Sequence, residues 1–248
     1  MISKTGARRV LVLAGWIFLA GWISLAGWIS APWGVGLAAA QPGRFPPADR
    51  PVAPIVTPTY STEAARDAHG EAERVLGRLG VKPGMRVADV GAGDGYYTVR
   101  LAKRLGPGAT IYAEDVVQSH LDQLAARLVR ERIAGITLVH GTPSDPRLPP
   151  LSIELALLVH MYHEIEQPYE FVYRLHGALA TGGRVAIIDN DKPTDQHGTP
   201  PALLRCELAA VGYREVDFLL LAPADGYLAV FSPPETLPRP EDIRPCSR

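Results

Sequence analysis

Cysteine is scarce in this chain, and a surplus of charge of either sign is missing. Among 248 residues there are two cysteines, Cys206 and Cys246, and neither stands in a CxxC or Cys/His spacing. That argues against a thiolate zinc site. A disulfide between them is allowed in an exported protein, but the sequence does not establish one, and two separate thiols are the simpler reading. The 25 Lys and Arg nearly cancel the 26 Asp and Glu, leaving a net charge of -1. Such a balance offers no basic face, so nucleic acid is not an expected partner. Tryptophan is rare as well, and three of the four stand in a repeated N-terminal hexamer.

That N-terminal segment is where charge disappears. After Lys4, Arg8 and Arg9 there is none from Val10 to Ala40, and Ala38-Ala39-Ala40 before Gln41 has the A-x-A form of a cleavage site. The apolar run exceeds a signal core of 7–15 residues and is long enough to span a bilayer. "LAGWIF", "LAGWIS" and "LAGWIS" account for the excess. Six residues turn a helix by about 240°, so the repeated tryptophans do not share a face. A duplicated hexamer lengthening a signal peptide is the simpler account, a retained anchor the alternative. Arg8-Arg9 is only a thin twin-arginine match. Either way the positive start leaves the remainder on the outer side of the membrane, so the protein is expected to be exported, periplasmic or anchored through residues 10–40. Residues 41–60 read as a Pro-rich linker, 61–232 as the folded domain, and 233–248 as a poorly ordered Pro-rich tail.

In the folded part, apolar strands and helices alternate. A helix capped by Ser61 or Thr62 is expected to run to Gly80. "RVADVG", "ATIYAED", "ITLVHG", "IELALLVH" and "RVAIIDN" read as strands separated by helical stretches. The helix from Gln118 to Ala134 is expected to put Leu121, Leu124, Leu128 and Val129 on one side. This alternation predicts a parallel sheet covered by helices on both faces. "YREVDFLLLA" and "GYLAVFSP" are joined too closely for a parallel crossover, so the sheet ends in an antiparallel hairpin.

The most informative stretch is "VADVGAGDGYYTVRLA", a strand, three alternating glycines and a helix. Ligands of open parallel sheets bind at the carboxyl ends of the strands. The spacing is G-x-G-x-G, and Tyr96 stands where the dinucleotide pattern G-x-G-x-x-G needs its last glycine. Asp94 at the helix start opposes a pyrophosphate and tolerates a cationic ligand. Glu114-Asp115, about 20 residues on, can hold ribose hydroxyls. Together these features suit an adenosine carrying a positive centre. A nicotinamide-dependent oxidoreductase is disfavoured.

These motifs, with "IYAEDVVQSHLDQL", "GALATGGRVAIIDND" and the closing hairpin, resemble the Rossmann-like, class I S-adenosylmethionine-dependent methyltransferases over roughly residues 62–232. The resemblance implies an α/β three-layer sandwich with a mostly parallel seven-stranded sheet, and S-adenosylmethionine as cofactor. It implies that Asp89 supports the glycine turn near the methionine amino group and that Gly91, Gly93 and Gly95 border the methionine and ribose. Asp115 would hold the ribose, with Glu114 a competing assignment. Where the family often has "GDA" for the adenine, this chain has Gly141-Thr142-Pro143, with Thr142 and the slightly later Asp145 as candidates.

On the acceptor side the fourth strand ends in "VHMYHEIEQP". His160 stands where the family often has Asp or Asn, and is a candidate for orienting or deprotonating an acceptor. Tyr162, and His197 in the loop after the fifth strand, are further candidates. His163 and Glu164 fit packing as well as function. A metal held by His160, His163 and Glu164 is not expected, because the spacing beyond the strand is short and no further ligand cluster is visible. The acceptor, small molecule or protein, is not named by any substrate module, and the oligomeric state is not encoded. Alternatives are an exported protein that binds S-adenosylmethionine or a nucleoside without catalysis, and a protein-isoaspartate-type O-methyltransferase.

Overall fold

Seven stretches rich in Val, Ile, Leu and Ala pair into one sheet because each can be covered on both faces. The computed structural model describes residues 44–55, 63–221 and 226–246. The strands are β1 (Arg86–Val90), β2 (Thr110–Asp115), β3 (Ile136–His140), β4 (Ile153–Val159), β5 (Leu179–Asp189), β6 (Arg214–Leu220) and β7 (Tyr227–Ser232). They lie in the order β3-β2-β1-β4-β5-β7-β6. The first five are parallel, and β7 runs antiparallel to both β5 and β6. This is the mixed α/β sheet that the strand spacing predicts.

Side-chain alternation assigns the two faces. Ala88, Val90, Ala156, Leu158, Val185, Ile187, Tyr227 and Phe231 point to one, where α5 (Pro168–Ala178) and α6 (Pro201–Ala210) add Phe171, Leu175, Leu204 and Leu208. Val87, Leu155, Leu157, Ala186, Ile188 and Leu228 point to the other, against α2 (Glu71–Arg78) and α3 (Tyr96–Leu105). On α4 (Gln118–Arg130), Leu121, Leu124 and Leu128 are buried, but Val129 is 80% exposed. One residue turns a helix about 100°, which takes Val129 off the face of Leu128.

Four further expectations need correction. The helix before Gly80 is two helices, α1 (Glu63–Ala68) and α2, separated where Gly70 adopts φ 64°. Left-handed backbone is easy for glycine and does not continue a right-handed helix. The Pro-rich stretch 44–55 is a strap fixed to the domain. Arg50 is buried within it, and Phe45 packs edge-on against Tyr173 at 5.0 Å. The tail is also ordered through Cys246, with Ile243 buried and the Cys246 amide donating to the Tyr169 hydroxyl at 2.7 Å. The two cysteines are not separate thiols: Cys206 and Cys246 form a disulfide. Residues 1–43, the Ser61 or Thr62 cap and the hairpin turn at 222–225 lie outside the described residues. Among the described residues no helix is long and apolar enough to cross a membrane.

Candidate functional site

The parallel strands end on the same side of the sheet, and their last residues carry the polar groups: Asp89 on β1, Glu114 and Asp115 on β2, Asp189 on β5, and His160 just beyond β4. A cavity of about 690 Å³ opens there. Its lining holds seven carboxylates against one arginine and one lysine. A cavity so rich in carboxylates favours a cationic ligand over a phosphate.

The glycine turn is held by those acids. The Gly93 amide donates to Asp115 Oδ2 at 2.8 Å, and the Gly91 amide to Glu114 Oε2 at 3.3 Å. Asp115 Oδ1 also accepts from the Val117 amide at 2.8 Å and lies 3.3 Å from His120 Nδ1. Both acids line the cavity, so the structure brings together the two competing ribose assignments. Asp115 faces it beside His120, a cavity residue absent from the sequence reading. Glu114 is more deeply set, and burial together with neighbouring Asp115 raises its pKa well above the usual carboxylate range. Gly141 makes that position possible, because a Cβ there would stand 1.8 Å from Glu114 Oε1.

Asp89 is buried at the cavity wall and accepts from Thr98 Oγ1 at 2.6 Å. Burial lifts its pKa to about 6 despite the Thr98 hydrogen bonds. Gly91 and Gly93 line the cavity, whereas Gly95 stands outside that lining. At Gly95 φ is 90°, and a Cβ would meet Leu124 Cδ1 at 2.4 Å. The third glycine therefore lets α4 approach the turn, which is a packing role rather than the ligand border expected of it.

Thr142 and Pro143 reach the cavity. Asp145 does not: its carboxylate accepts from the Arg147 amide and pairs with Arg174 at 3.5 Å. The short bridge between Thr142 and Asp145 closes this loop and turns the acid outward.

Around the end of β4, the sequence candidates separate. His160 lines the cavity in a left-handed conformation, φ 52°, with its amide donating to the Ile188 carbonyl at 2.8 Å. Such a conformation is uncommon for a residue with a Cβ and is held here by the neighbouring strand end. Tyr162 is fully buried beside Glu207 and takes no part in the cavity wall. His163 is buried behind the wall, with Nδ1 at 3.0 and 3.1 Å from the two oxygens of Asp189. His197 packs edge-on against His163, ring centroids 5.5 Å apart, and also stands outside the lining. Asp189 accepts in addition from Thr199 Oγ1 at 2.7 Å and the Asn190 amide at 2.9 Å. Burial alone would raise its pKa, but the imidazoles of His160 and His163 beside it hold it low, at about 2.

The strap completes the wall with Ala53, Pro54 and Ile55. Arg50 anchors it: Nε donates to Glu207 Oε1 at 2.8 Å, while the two terminal nitrogens donate to the carbonyls of Tyr162, His163 and Ile165. One guanidinium thus satisfies the turn after β4 and neutralises a buried acid. Opposite it lies α1, which buries no side chain. Ion pairs hold it instead, Glu63 with Arg127 and Asp67 with Arg100. Arg66 makes a two-pronged contact with Glu71 at 2.8 and 2.6 Å and covers the Tyr96 ring at 3.7 Å. Arg66, Glu71, Tyr96, Tyr97, Met161 and Asn190 all face the cavity. None has a spacing signal, since they meet only through the fold.

An α/β sheet of this order, with a glycine turn and paired acids at one set of strand ends, defines a Rossmann-like nucleoside-binding domain. Residues 88–187 match the family described as "Methyltransferase domain". The fold is that of the Rossmann-like, class I S-adenosylmethionine-dependent methyltransferases. A demethylmenaquinone methyltransferase of Geobacillus sp. (strain WCH70) is 24% identical over 123 residues, 49% of this chain and 52% of that protein. Nocamycin O-methyltransferase of Saccharothrix syringae is 29% identical over 84 residues, 34% of this chain and 30% of its own length. The chain therefore spans about half or less of these curated relatives. Among solved structures, a SAM-dependent methyltransferase from Aquifex aeolicus superposes with a TM-score of 0.59 at 22% identity, covering 65% of this chain and 87% of that one.

The residues present fit S-adenosylmethionine. The carboxylate-rich cavity matches a sulfonium and an ammonium, the β2 acids match ribose hydroxyls, and the glycine turn leaves room for close approach.

Proposed function

We propose that the chain is an S-adenosylmethionine-dependent methyltransferase that works outside the cytoplasm on a small acceptor with an apolar face. The observation that carries this reading is one continuous cavity that joins the glycine turn and its acids to His160. Its volume falls within the range of about 300–1,000 Å³ usual for small-molecule sites. Val159, Met161, Ile165 and Phe171, with Ala53, Pro54 and Ile55 of the strap, supply the apolar wall. That wall suits acceptors of the kind named in the two curated relatives. The disulfide and the uncharged N-terminal segment support an oxidising, extracytoplasmic location.

When bound, S-adenosylmethionine supplies a methyl group on a positive sulfur, which needs no further activation. Asp89 offers a carboxylate to the ligand's ammonium, and Asp115 or Glu114 accepts from its ribose. The apolar wall holds the acceptor and keeps water away from it. His160, at the end of β4, receives the acceptor's proton where the attacking atom carries one.

Calorimetric titration of the purified chain with S-adenosylmethionine, S-adenosylhomocysteine and NAD tests the ligand. Binding of the first two and not the third is expected; a preference for NAD would overturn the reading. A screen with labelled donor against phenolic, quinol and protein acceptors then tests transfer. Donor binding without label on any acceptor would favour the non-catalytic binding protein, and label on a protein carboxylate the isoaspartate-type alternative.

A further inference from the structure

His163, Glu164 and His197 each bring one ligand-capable atom to within 4.8 Å of the other two. The two histidines are 34 residues apart in sequence, at positions 163 and 197, and come from separate short helical turns, Tyr162–Glu164 and Thr194–Gln196 with its capping residue. The set read from the linear sequence, His160, His163 and Glu164, is confined to one short turn, with no ligand from elsewhere in the chain. The fold supplies one in His197.

Three observations make this more than a proximity. First, His163 is oriented from behind. Asp189 accepts at Nδ1, which directs the other ring nitrogen, Nε2, away from the acid, and Nε2 lies 4.0 Å from Glu164 Oε1. A carboxylate behind an imidazole is the arrangement that fixes the tautomer and raises the basicity of metal-binding histidines. Second, both turns are held firmly. The His163 carbonyl accepts from the Ala53 amide at 3.2 Å and from Arg50 at 3.4 Å. The second turn is fixed by Thr194 Oγ1 donating to the Pro51 carbonyl at 2.6 Å, and by the Thr199 amide donating to the Asn190 carbonyl at 2.8 Å. Third, Glu164 lines the cavity while the histidines lie behind it, so a ligand set of three would keep its open side toward the cavity.

We infer that His163, Glu164 and His197 form a binding site for a divalent first-row transition ion of the zinc class, at the acceptor end of the cavity. Two imidazoles and one carboxylate suit such an ion, whereas magnesium and calcium prefer all-oxygen shells. Ligand atoms on a tetrahedral zinc, each about 2.0–2.2 Å from the metal, stand closer together than these do, so binding draws the three side chains inward by about an ångström. The site is independent of methyl transfer and is read without donor or acceptor.

The test is zinc titration of the chelator-stripped full chain in competition with a chromophoric chelator, with cobalt(II) absorption as a second readout. Both cysteines are in the disulfide, so thiols do not contribute to uptake. One ion per chain is expected, with a cobalt spectrum of low-coordinate type and a rise in melting temperature. His197→Ala and Glu164→Gln should each weaken binding at least tenfold, and Asp189→Asn, which weakens the acceptor behind His163 while also touching Thr199, Asn190 and His160, by about 10–100-fold. His197 and Glu164 are only partly buried, so those two variants should fold, which circular dichroism verifies. Absence of stoichiometric uptake by the unmutated chain, or unchanged affinity in either the His197→Ala or the Glu164→Gln variant, would overturn the inference.

Discussion

At one end of the cavity nearly every ligand-facing group comes from a short run of chain: Asp89, Gly91, Gly93, Glu114, Asp115 and His120. A strand, a turn, a helix and the next strand bring them together by local geometry. At the other end the wall is gathered from the strap at 53–55, the turn after β4, α5 and the segment after β5. Its parts are held by single long-range contacts, above all Arg50 to Glu207. The first end is fixed by a local turn whose glycines take left-handed backbone conformations that side chains disfavour. The second is free to vary without disturbing the sheet. Ligand affinity should therefore reside at the glycine turn, and turnover and stability at the strap end.

The largest effect is expected at His160. His160→Ala should reduce turnover by about 10²–10⁴-fold, the usual range for a lost general base, with donor affinity within about twofold of the parent by calorimetry, the size of a lost weak contact. Equal turnover would remove His160 from the chemistry. Next comes Arg50→Ala, which leaves Glu207 buried without its countercharge. Denaturant unfolding should show a loss of about 3–5 kcal/mol, and Arg50→Met with Glu207→Leu should recover much of it. If Arg50→Ala weakened donor binding as much as a change in the glycine turn, the two ends would not be separate.

A smaller effect is expected from Asp115→Ala, about 1–3 kcal/mol in donor affinity, because ribose contacts and the Gly93 and Val117 amides lose their acceptor together. Should Glu114→Gln weaken the donor while Asp115→Ala does not, the ribose assignment moves to Glu114. The mildest effect is a pH dependence. With its pKa raised to about 6, Asp89 is protonated in the free protein below that pH. An ammonium favours the carboxylate, so binding must expel a proton there. Donor affinity should fall by up to about tenfold per pH unit below about 6 and level off above it. Asp89→Asn should flatten the profile, and an unchanged slope in that variant would assign the proton elsewhere.

The same contrast explains what could be read from the sequence. The sheet was legible because its signals are periodic: apolar strands, helix stops, and a hairpin too short for a crossover. The glycine turn and the β2 acids were legible because they are contiguous. Gly95 reads as a ligand border because a glycine that admits Leu124 looks the same in sequence as one that admits a ligand. Asp145 reads as an adenine candidate by position, and the bridge from Thr142 that turns it toward Arg174 has no signal in the sequence. The strap and tail read as loose since proline-rich composition does not reveal one buried arginine or one disulfide. Tyr162 and His197 lie in the layer behind the cavity wall, a distinction that only the fold makes.

On α6, two successive residues fasten opposite ends of the domain. Cys206 ties down Cys246 near the last residues, and Glu207 ties down Arg50 near the first described ones. A chain made from its N-terminus thus exposes the strap long before its anchor exists, since 157 residues separate Arg50 from Glu207. The glycine turn needs no such wait. Contacts between distant residues form last because loop closure must precede them. The nascent domain would then pass through a stage with a finished nucleoside cradle and an open, unroofed second half. The strap is fastened once α6 emerges with Glu207, and the disulfide closes the other end later, when Cys246, 40 residues beyond Cys206, has been made.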